Sequence, residues 1–174
     1  MLFRVKEFWK LTFLGAFILV TGCSATGGLE NRPAPVVRES KMIEEQIALN
    51  PAFSAHLTGI RFFEGERSKL AIINDKTYDT RFQKKLARTI YTEIDLDHAR
   101  PGMKVYFPIM LYFRQNGKVV RIEEIQARIE PQLNASSHLV GAGYFEPGKW
   151  AFGDYDVDVY INNKKAATGY FEIY

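Results

Sequence analysis

Hydrophobic and polar residues alternate along most of the chain after residue 57, and this period of two predicts β-strands with one buried face. The clearest stretch is residues 104–114, whose apolar residues on one face are Val105, Phe107, Ile109, Leu111 and Phe113. Asn116 and Gly117 follow, and this pair is typical of a tight hairpin because both central residues of the turn need positive φ. Residues 119–129 are therefore predicted to return as the neighbouring strand.

Four further strands are predicted around this hairpin. Residues 60–64 are short and aromatic, and residues 70–73 form an apolar run that ends in Asn and Asp. Residues 88–97 alternate, with these side chains expected on the inward face: Ile90, Thr92, Ile94 and Leu96. A strand over residues 139–145 contains two glycines, which permit a bulge or a close approach of another backbone.

The final predicted hairpin spans residues 150–174. The side chains expected to point inward from its first strand are Tyr155, Val157, Val159 and Ile161. The opposite face carries Asp154, Asp156, Asp158 and Tyr160. Residues 162–165 turn the chain, and residues 166–174 return with Phe171 and Ile173 pointing inward. About seven strands separated by turn residues predict an all-β, antiparallel β-sandwich.

Two segments have no single interpretation. Residues 40–50 fit a short helix, because Ile43 and Ile47 are four residues apart and Pro51 would end it. They fit an extended tether equally well. Residues 78–87 combine helical spacing with the beginning of an alternating pattern and stay open between helix and strand.

The first 23 residues follow a different pattern. Arg4, Lys6 and Lys10 precede an apolar run over residues 11–20, and small residues lead from it to Cys23. A positive start, a short apolar core and a small-residue exit are typical of a secretory signal peptide. A helix that spans a membrane needs roughly 20 apolar residues, so this run is too short for one.

Val20-Thr21-Gly22-Cys23 resembles a bacterial lipobox, with Val at a position where Leu is commoner. The resemblance implies cleavage before Cys23, a diacylglyceryl thioether on its sulfur and an acyl chain on its new amino group. Several acyl chains anchor a protein firmly, whereas one chain alone is marginal. Ser24 follows the cysteine instead of Asp, which implies a lipoprotein of the outer membrane that faces the periplasm.

This processing would divide the chain into a signal peptide (1–22), a lipidated cysteine with its tether (23–52) and a sandwich domain (53–174). The formal charge is +3, to which the signal peptide contributes three cations and one anion. The rest is nearly neutral and lacks the basic field of a nucleic-acid-binding protein. Cys23 is the only cysteine, so packing of the 13 Phe, nine Tyr and two Trp must replace disulfides.

Gly153-x-Tyr155-x-Val157 resembles the tyrosine corner of immunoglobulin-like sandwiches, with Val157 where antibody domains place the second Cys. Together with Trp150 and the last strand, it is similar to the closing hairpin of many bacterial extracellular sandwich modules. The resemblance covers residues 150–174 alone. It implies an immunoglobulin-like fold and a class of modules that mostly bind or space other components and seldom catalyse.

Few side chains point to catalysis or metal binding. Asp154-x-Asp156-x-Asp158 lacks the Gly and Glu that complete an EF-hand loop, so a solvated strand face is favoured. A weaker candidate for a metal cluster is formed by Asp95, Asp97 and His98. The sequence has no phosphate-binding loop and no nucleophile elbow. We therefore expect a protein that is not an enzyme and uses neither a metal nor a cofactor.

The outward face of residues 104–114 carries Tyr106, Met110 and Tyr112, where polar residues are usual, and Pro108 among them indicates an edge or a bulge. Either the tether region covers this face, or the face binds another envelope protein, because aromatic side chains offer contact area at low entropic cost. We expect a membrane-anchored binding or assembly component. The alternatives are a cell-wall glycan-binding module and a small envelope hydrolase. Neither the partner nor the oligomeric state follows from the sequence.

Overall fold

The computed structural model describes residues 38–43, 46–65 and 76–174. These residues contain no helix and form ten strands: β1 (Lys41–Met42), β2 (Gln46–Asn50), β3 (Phe53–Gly65), β4 (Arg81–Phe82), β5 (Thr89–His98), β6 (Val105–Gln115), β7 (Lys118–Ile129), β8 (Ala135–Gly143), β9 (Gly153–Ile161) and β10 (Lys164–Ile173). The predicted signal peptide, Cys23 and the predicted strand over residues 70–73 lie outside the described residues.

The strands form a sandwich of two sheets. The six-stranded sheet has the order β1-β10-β9-β6-β7 with β4 joined to β10, and the four-stranded sheet has the order β2-β3-β5-β8. Among the described residues every pairing is antiparallel except the two-residue contact of β4 with β10. The chain changes sheets after β1, β3, β4, β5, β7 and β8, and these connections bring β5 beside β8 and β6 beside β9. This is the arrangement of an immunoglobulin-like sandwich, in which β6, β9 and β10 take the places of the C, F and G strands. β7 is the additional strand next to β6.

The core lies between the inward faces that the alternation predicted. The nine residues predicted to face inward from β6 and β9 are at most 3% exposed: Val105, Phe107, Ile109, Leu111, Phe113, Tyr155, Val157, Val159 and Ile161. From the opposite sheet, Phe62 of β3 packs beside Phe171 with ring centroids 5.5 Å apart. Full burial of one such side chain contributes about 1.5–3 kcal/mol, so this layer is the main source of stability.

The tyrosine corner predicted around Tyr155 is confirmed. The ring is 3% exposed, and its hydroxyl donates a hydrogen bond to the carbonyl oxygen of Ala151 at 3.2 Å. Trp150 packs edge-on against the ring with centroids 5.3 Å apart, and its own Nε1–H donates to the Arg88 carbonyl. Burial raises the pKa of the Tyr155 hydroxyl above its ordinary value. The corner therefore fixes the start of β9 against the core.

Both predicted hairpin turns are present. Asn116 and Gly117 have φ values of 51° and 76°, and Asn162 and Asn163 have φ values of 50° and 64°. Asn tolerates this left-handed region better than other residues with a side chain, which explains its use at three of the four positions. These turns join β6 to β7 and β9 to β10.

The helix considered for residues 40–50 is wrong. This segment contains β1, with Lys41 opposite Thr168, and β2, with Gln46 opposite His56. Ile47 is 1% exposed and Ile43 is 49% exposed, so their four-residue spacing does not mark a common face. Backbone pairing with β10 and β3 replaces intrahelical hydrogen bonds, and strands of the sandwich thus begin within the range assigned to the tether.

The structure also assigns the open segment and changes the bounds of two predicted strands. The strand predicted over residues 60–64 is part of the longer β3, which begins at Phe53. The open segment over residues 78–87 holds the two-residue strand β4 and a turn, without a helix. The strand predicted over residues 139–145 runs instead from Ala135 to Gly143. Gly143 has a φ of 149°, and a Cβ there would lie 2.1 Å from the Arg88 carbonyl oxygen. This close backbone approach ends β8 two residues before the apolar Phe145.

Candidate interaction surface

The structure places the predicted site on the outward face of the six-stranded sheet. Tyr106, Met110 and Tyr112 alternate along β6 with core residues, and Tyr106 is 54% exposed. Met110 and Tyr112 are half-buried. The other predicted site residue, Cys23, lies outside the described residues.

Contacts within the same face explain why Tyr112 is half-buried. Its ring packs edge-on against Tyr160 of β9, with centroids 5.1 Å apart. Its hydroxyl donates a hydrogen bond to Sδ of Met110 at 3.1 Å. These contacts restrict the rotamers of the aromatic side chains before any partner arrives, which lowers the entropic cost of binding.

Ile122 of β7 extends this surface, and the sequence analysis missed it. Ile122 lies directly opposite Tyr112 and is 53% exposed. A two-residue hairpin without irregularity would place Arg121 opposite Tyr112, but a register shift between Phe113 and Arg114 moves the pairing by one residue. We call the resulting set the sheet-face patch: Tyr106, Met110, Tyr112, Ile122 and Tyr160.

The sheet-face patch borders an open sheet edge. Within the part of the chain that the structure describes, the 12-residue strand β7 pairs with β6 alone. Val119 and Val120 near its beginning are 42% and 53% exposed. Long edge strands with apolar side chains are rare on isolated proteins because they attract other chains. Glu124 lies opposite Met110 and Arg128 opposite Tyr106, so the patch and this edge form a candidate surface of mixed apolar and charged side chains.

Asp158, beside the patch, is a buried carboxylate and not part of a solvated face. It is 5% exposed and receives Nζ of Lys165 at 2.7 Å, the hydroxyl of Thr168 at 2.9 Å and Nε of Arg114 at 2.9 Å. Burial by itself would raise its pKa, but these three donors outweigh that effect and hold the pKa below its ordinary value. Asp156 faces Arg38 instead, at 3.5 Å. The Asp run thus stabilises the sheet and its carboxylates do not converge on one point.

Asp95 and His98 also point apart. Asp95 bonds outward to Arg61 at 2.8 Å, whereas His98 points between the sheets and bonds through Nδ1 to the Ala99 carbonyl oxygen at 2.9 Å. Across the described ranges, no three His, Cys, Asp or Glu side chains are grouped as metal ligands could be.

A polarised hydrogen-bond chain joins His98 to the buried His138. Because a carbonyl oxygen only accepts, Nδ1–H of His98 donates to the Ala99 carbonyl oxygen. The Ser136 hydroxyl lies 3.3 Å from Nε2 of His98 and 3.0 Å from Nε2 of His138, so it bridges the two rings. Burial, and then the charge on His98, lower the pKa of His138 to about 4. The His138 imidazole is therefore neutral at pH 7, and both rings serve the packing of this end of the sandwich.

A cleft of about 460 Å³ opens at the same end, lined by Ser54, His56, Asp97, His98, Ala99, Asn134 and Ala135. Asp97 is the single carboxylate in this lining. Glycoside hydrolysis generally requires two carboxyl groups that flank the scissile bond. The cleft therefore lacks the paired acids that such a reaction would need.

No protein-family model and no curated protein sequence matches this chain. Its structure is similar to that of an immunoglobulin-like protein from Pseudomonas aeruginosa. That protein is 14% identical, and the comparison covers 80% of this chain and 100% of the other, with a TM-score of 0.43. The assignment of the fold rests on the strand pairing and the tyrosine corner of the chain itself. In the residues that the structure describes, no helix has the length and apolar character needed to cross a membrane.

Proposed function

We propose that this protein is a lipid-anchored component of the bacterial envelope that binds another envelope protein through the sheet-face patch and the β7 edge. It acts without catalysis, on the periplasmic side of the outer membrane. The observation that carries the proposal is the set of exposed aromatic and aliphatic side chains on the outward sheet face, among them Tyr106 and Ile122, beside β7, which in the described part of the chain pairs with β6 alone.

The anchor is supported by the N-terminal sequence. A basic start, a short apolar core and Val20-Thr21-Gly22-Cys23 form the lipobox pattern. Attachment at Cys23 would hold the sandwich near the bilayer while leaving its sheet faces free. Replacement of Cys23 by Ser should abolish acyl labelling and release the protein from membranes. Undiminished incorporation of labelled palmitate in that variant would refute the anchor.

The arrangement of the buried carboxylates favours binding over hydrolysis. The Glu93 side chain is 4% exposed, and Lys76 at 2.7 Å, the Tyr78 hydroxyl at 2.9 Å and Arg61 at 3.3 Å surround it. Asp158 is enclosed by donors in the same way on the other sheet. Each of these acids is thus committed to an ion pair. Asp95 lies beside Glu93, and Nη2 of Arg61 contacts both carboxylates, at 2.8 Å and 3.3 Å respectively.

The experiment compares capture of envelope proteins by the intact lipoprotein and by a Tyr106→Ser, Ile122→Ser double variant. Both residues are more than half exposed, so the variant should fold with an unchanged near-UV spectrum and an unchanged unfolding midpoint. We expect recovery of the partner to fall at least about tenfold, as the loss of two interface anchors would produce. The matched control is Leu133→Ser, an exposed apolar residue outside the patch.

Three results would count against the proposal. Equal recovery by the patch variant and by the control would remove the patch from the interface. Specific binding of purified cell-wall glycan that depends on Tyr106 would favour the glycan-binding alternative. Hydrolysis of a cell-wall substrate by the wild type that His98→Gln abolishes would favour an enzyme.

A further inference from the structure

A second exposed apolar cluster lies at one end of the sandwich, away from the sheet-face patch. Phe145 is 95% exposed, Phe152 is 64% exposed and Leu86 is 59% exposed. They belong to two loops, residues 83–88 and 144–152, which we call together the aromatic end. No inward-facing strand position explains them, because they lie beyond the ends of β8 and β4.

Backbone hydrogen bonds hold these two loops together. The amide of Gly148 donates to the carbonyl oxygen of Ala87 at 3.3 Å, and the amide of Tyr144 donates to that of Arg88 at 3.0 Å. The indole of Trp150 donates to the same Arg88 oxygen at 2.9 Å. These bonds therefore hold the backbones of the two loops that carry the exposed apolar side chains beside each other.

The loops of the aromatic end also carry several cations. Nζ of Lys84 lies 4.4 Å from the centroid of the Phe152 ring, and Lys85 and Lys149 are exposed nearby in the two loops. Together with Arg88 the loops contain four cations and a single anion, Glu146, which pairs with Lys149 at 3.3 Å. Exposed aromatic side chains with lysines nearby are typical of surfaces that bind a bilayer interface. There, apolar groups enter the acyl boundary and lysines reach anionic headgroups.

The chain also enters the sandwich from this end. The guanidinium of Arg38 lies 3.5 Å from Asp156, three residues after the β9 start at Gly153. From there β1 runs away from the aromatic end, since Lys41 is opposite Thr168 and the amide of Ile43 bonds to the Ala166 carbonyl. Arg38, the first described residue after Cys23, thus lies on the same side as the exposed aromatic rings.

We propose that the aromatic end is a membrane-contact surface that docks on anionic lipid, with Phe145, Phe152 and Leu86 entering the interface and the lysines binding headgroups. The inference rests on the proposed lipid anchor for its orientation. It fixes the sandwich with this end toward the bilayer and leaves the sheet-face patch, at the side, open to a protein partner.

The test uses the full chain in vesicles. A Phe145→Cys variant carries an environment-sensitive dye, and lipids with a nitroxide on the acyl chain quench any dye that reaches the interface. The control is Lys164→Cys, at the β9–β10 turn on the opposite end. In phosphatidylglycerol-containing vesicles we expect quenching at position 145 to exceed that at position 164 by about threefold or more, and to weaken in high salt or in neutral phosphatidylcholine.

Equal quenching at the two positions would overturn the proposal. So would quenching at position 145 that disappears when the protein is diluted within the membrane, because this result would assign the aromatic end to contacts between copies. Treatment of the wild type with the same dye tests lipidation separately, because Cys23 is the only cysteine and its acylated sulfur cannot react with the dye. If Cys23 accepts the dye, lipidation has failed, and the comparison of positions 145 and 164 is then made in a Cys23→Ser background.

Discussion

The ring of Tyr155 stacks on the ring of Phe171, with centroids 4.9 Å apart and planes inclined by 8°. This pair connects β9 to β10 in the core. The Tyr155 hydroxyl extends beyond the stack to the Ala151 carbonyl oxygen and closes the corner before β9. One side chain thus fixes both the packing of the last hairpin and the path of the chain into it.

Truncation of the Tyr155 side chain should therefore destabilise the protein. We expect Tyr155→Ala to lower the free energy of unfolding by about 3–5 kcal/mol, because it removes a large buried ring. Tyr155→Phe should lower it by about 1 kcal/mol, the net contribution of one hydrogen bond. Urea denaturation measures both values. A Phe variant as unstable as the Ala variant would mean that the hydrogen bond, and not the ring, dominates.

The carboxylate of Asp158 should contribute more to stability than its exposed neighbour. Asp158→Asn keeps the shape but removes the charge that faces Arg114 and Lys165, and we expect a loss of about 1–3 kcal/mol. Asp156→Asn is the control, because its side chain is 39% exposed and makes a single long ion pair. Because the pKa of Asp158 is lowered in the folded protein, its contribution should persist above pH 4 and disappear in stronger acid. Equal losses in the two variants would contradict this assignment.

Neutral His138 should make the protein less stable as the pH falls. Its pKa is about 4 in the folded protein against 6.5 for an exposed imidazole, so the unfolded chain binds more protons between these values. The free energy of unfolding should therefore fall by about 3 kcal/mol between pH 7 and pH 4 from this residue alone. Unfolding curves at several pH values should show a flatter profile for His138→Gln than for the wild type. The exposed His56→Gln serves as control, and a variant profile parallel to the wild type would exclude His138 as the cause.

The absence of a side chain at Gly169 leaves room for the ring of Phe62. A Cβ at this position would lie 2.5 Å from Cζ of Phe62, so Gly169→Ala should destabilise the protein by about 1–3 kcal/mol through overpacking. Adding Phe62→Leu removes the clashing atoms. The double variant should therefore be more stable than the sum of the two single losses predicts, by about 1 kcal/mol in a double-mutant cycle. Strict additivity would show that the two residues do not compete for this space.

The sequence by itself determined the features that depend on neighbouring residues. A period of two reports which side chains share a face, so the inward residues of β6 and β9 could be named in advance. Asn116-Gly117 and Asn162-Asn163 marked their hairpins because left-handed backbone conformations restrict the choice of residue. The same alternation placed Tyr106, Met110 and Tyr112 on the outward face.

The tertiary structure alone decided which segments meet. Residues 40–50 became strands because β10 and β3 offered free backbone groups, a condition that no local pattern records. Asp158 is buried because Arg114 of a different hairpin reaches it. The shift that sets Ile122 opposite Tyr112 depends on a bulge, and the aromatic end brings together loops about 60 residues apart in sequence. Periodicity describes one strand at a time, whereas pairing, register and burial are set by the free energy of the whole sandwich.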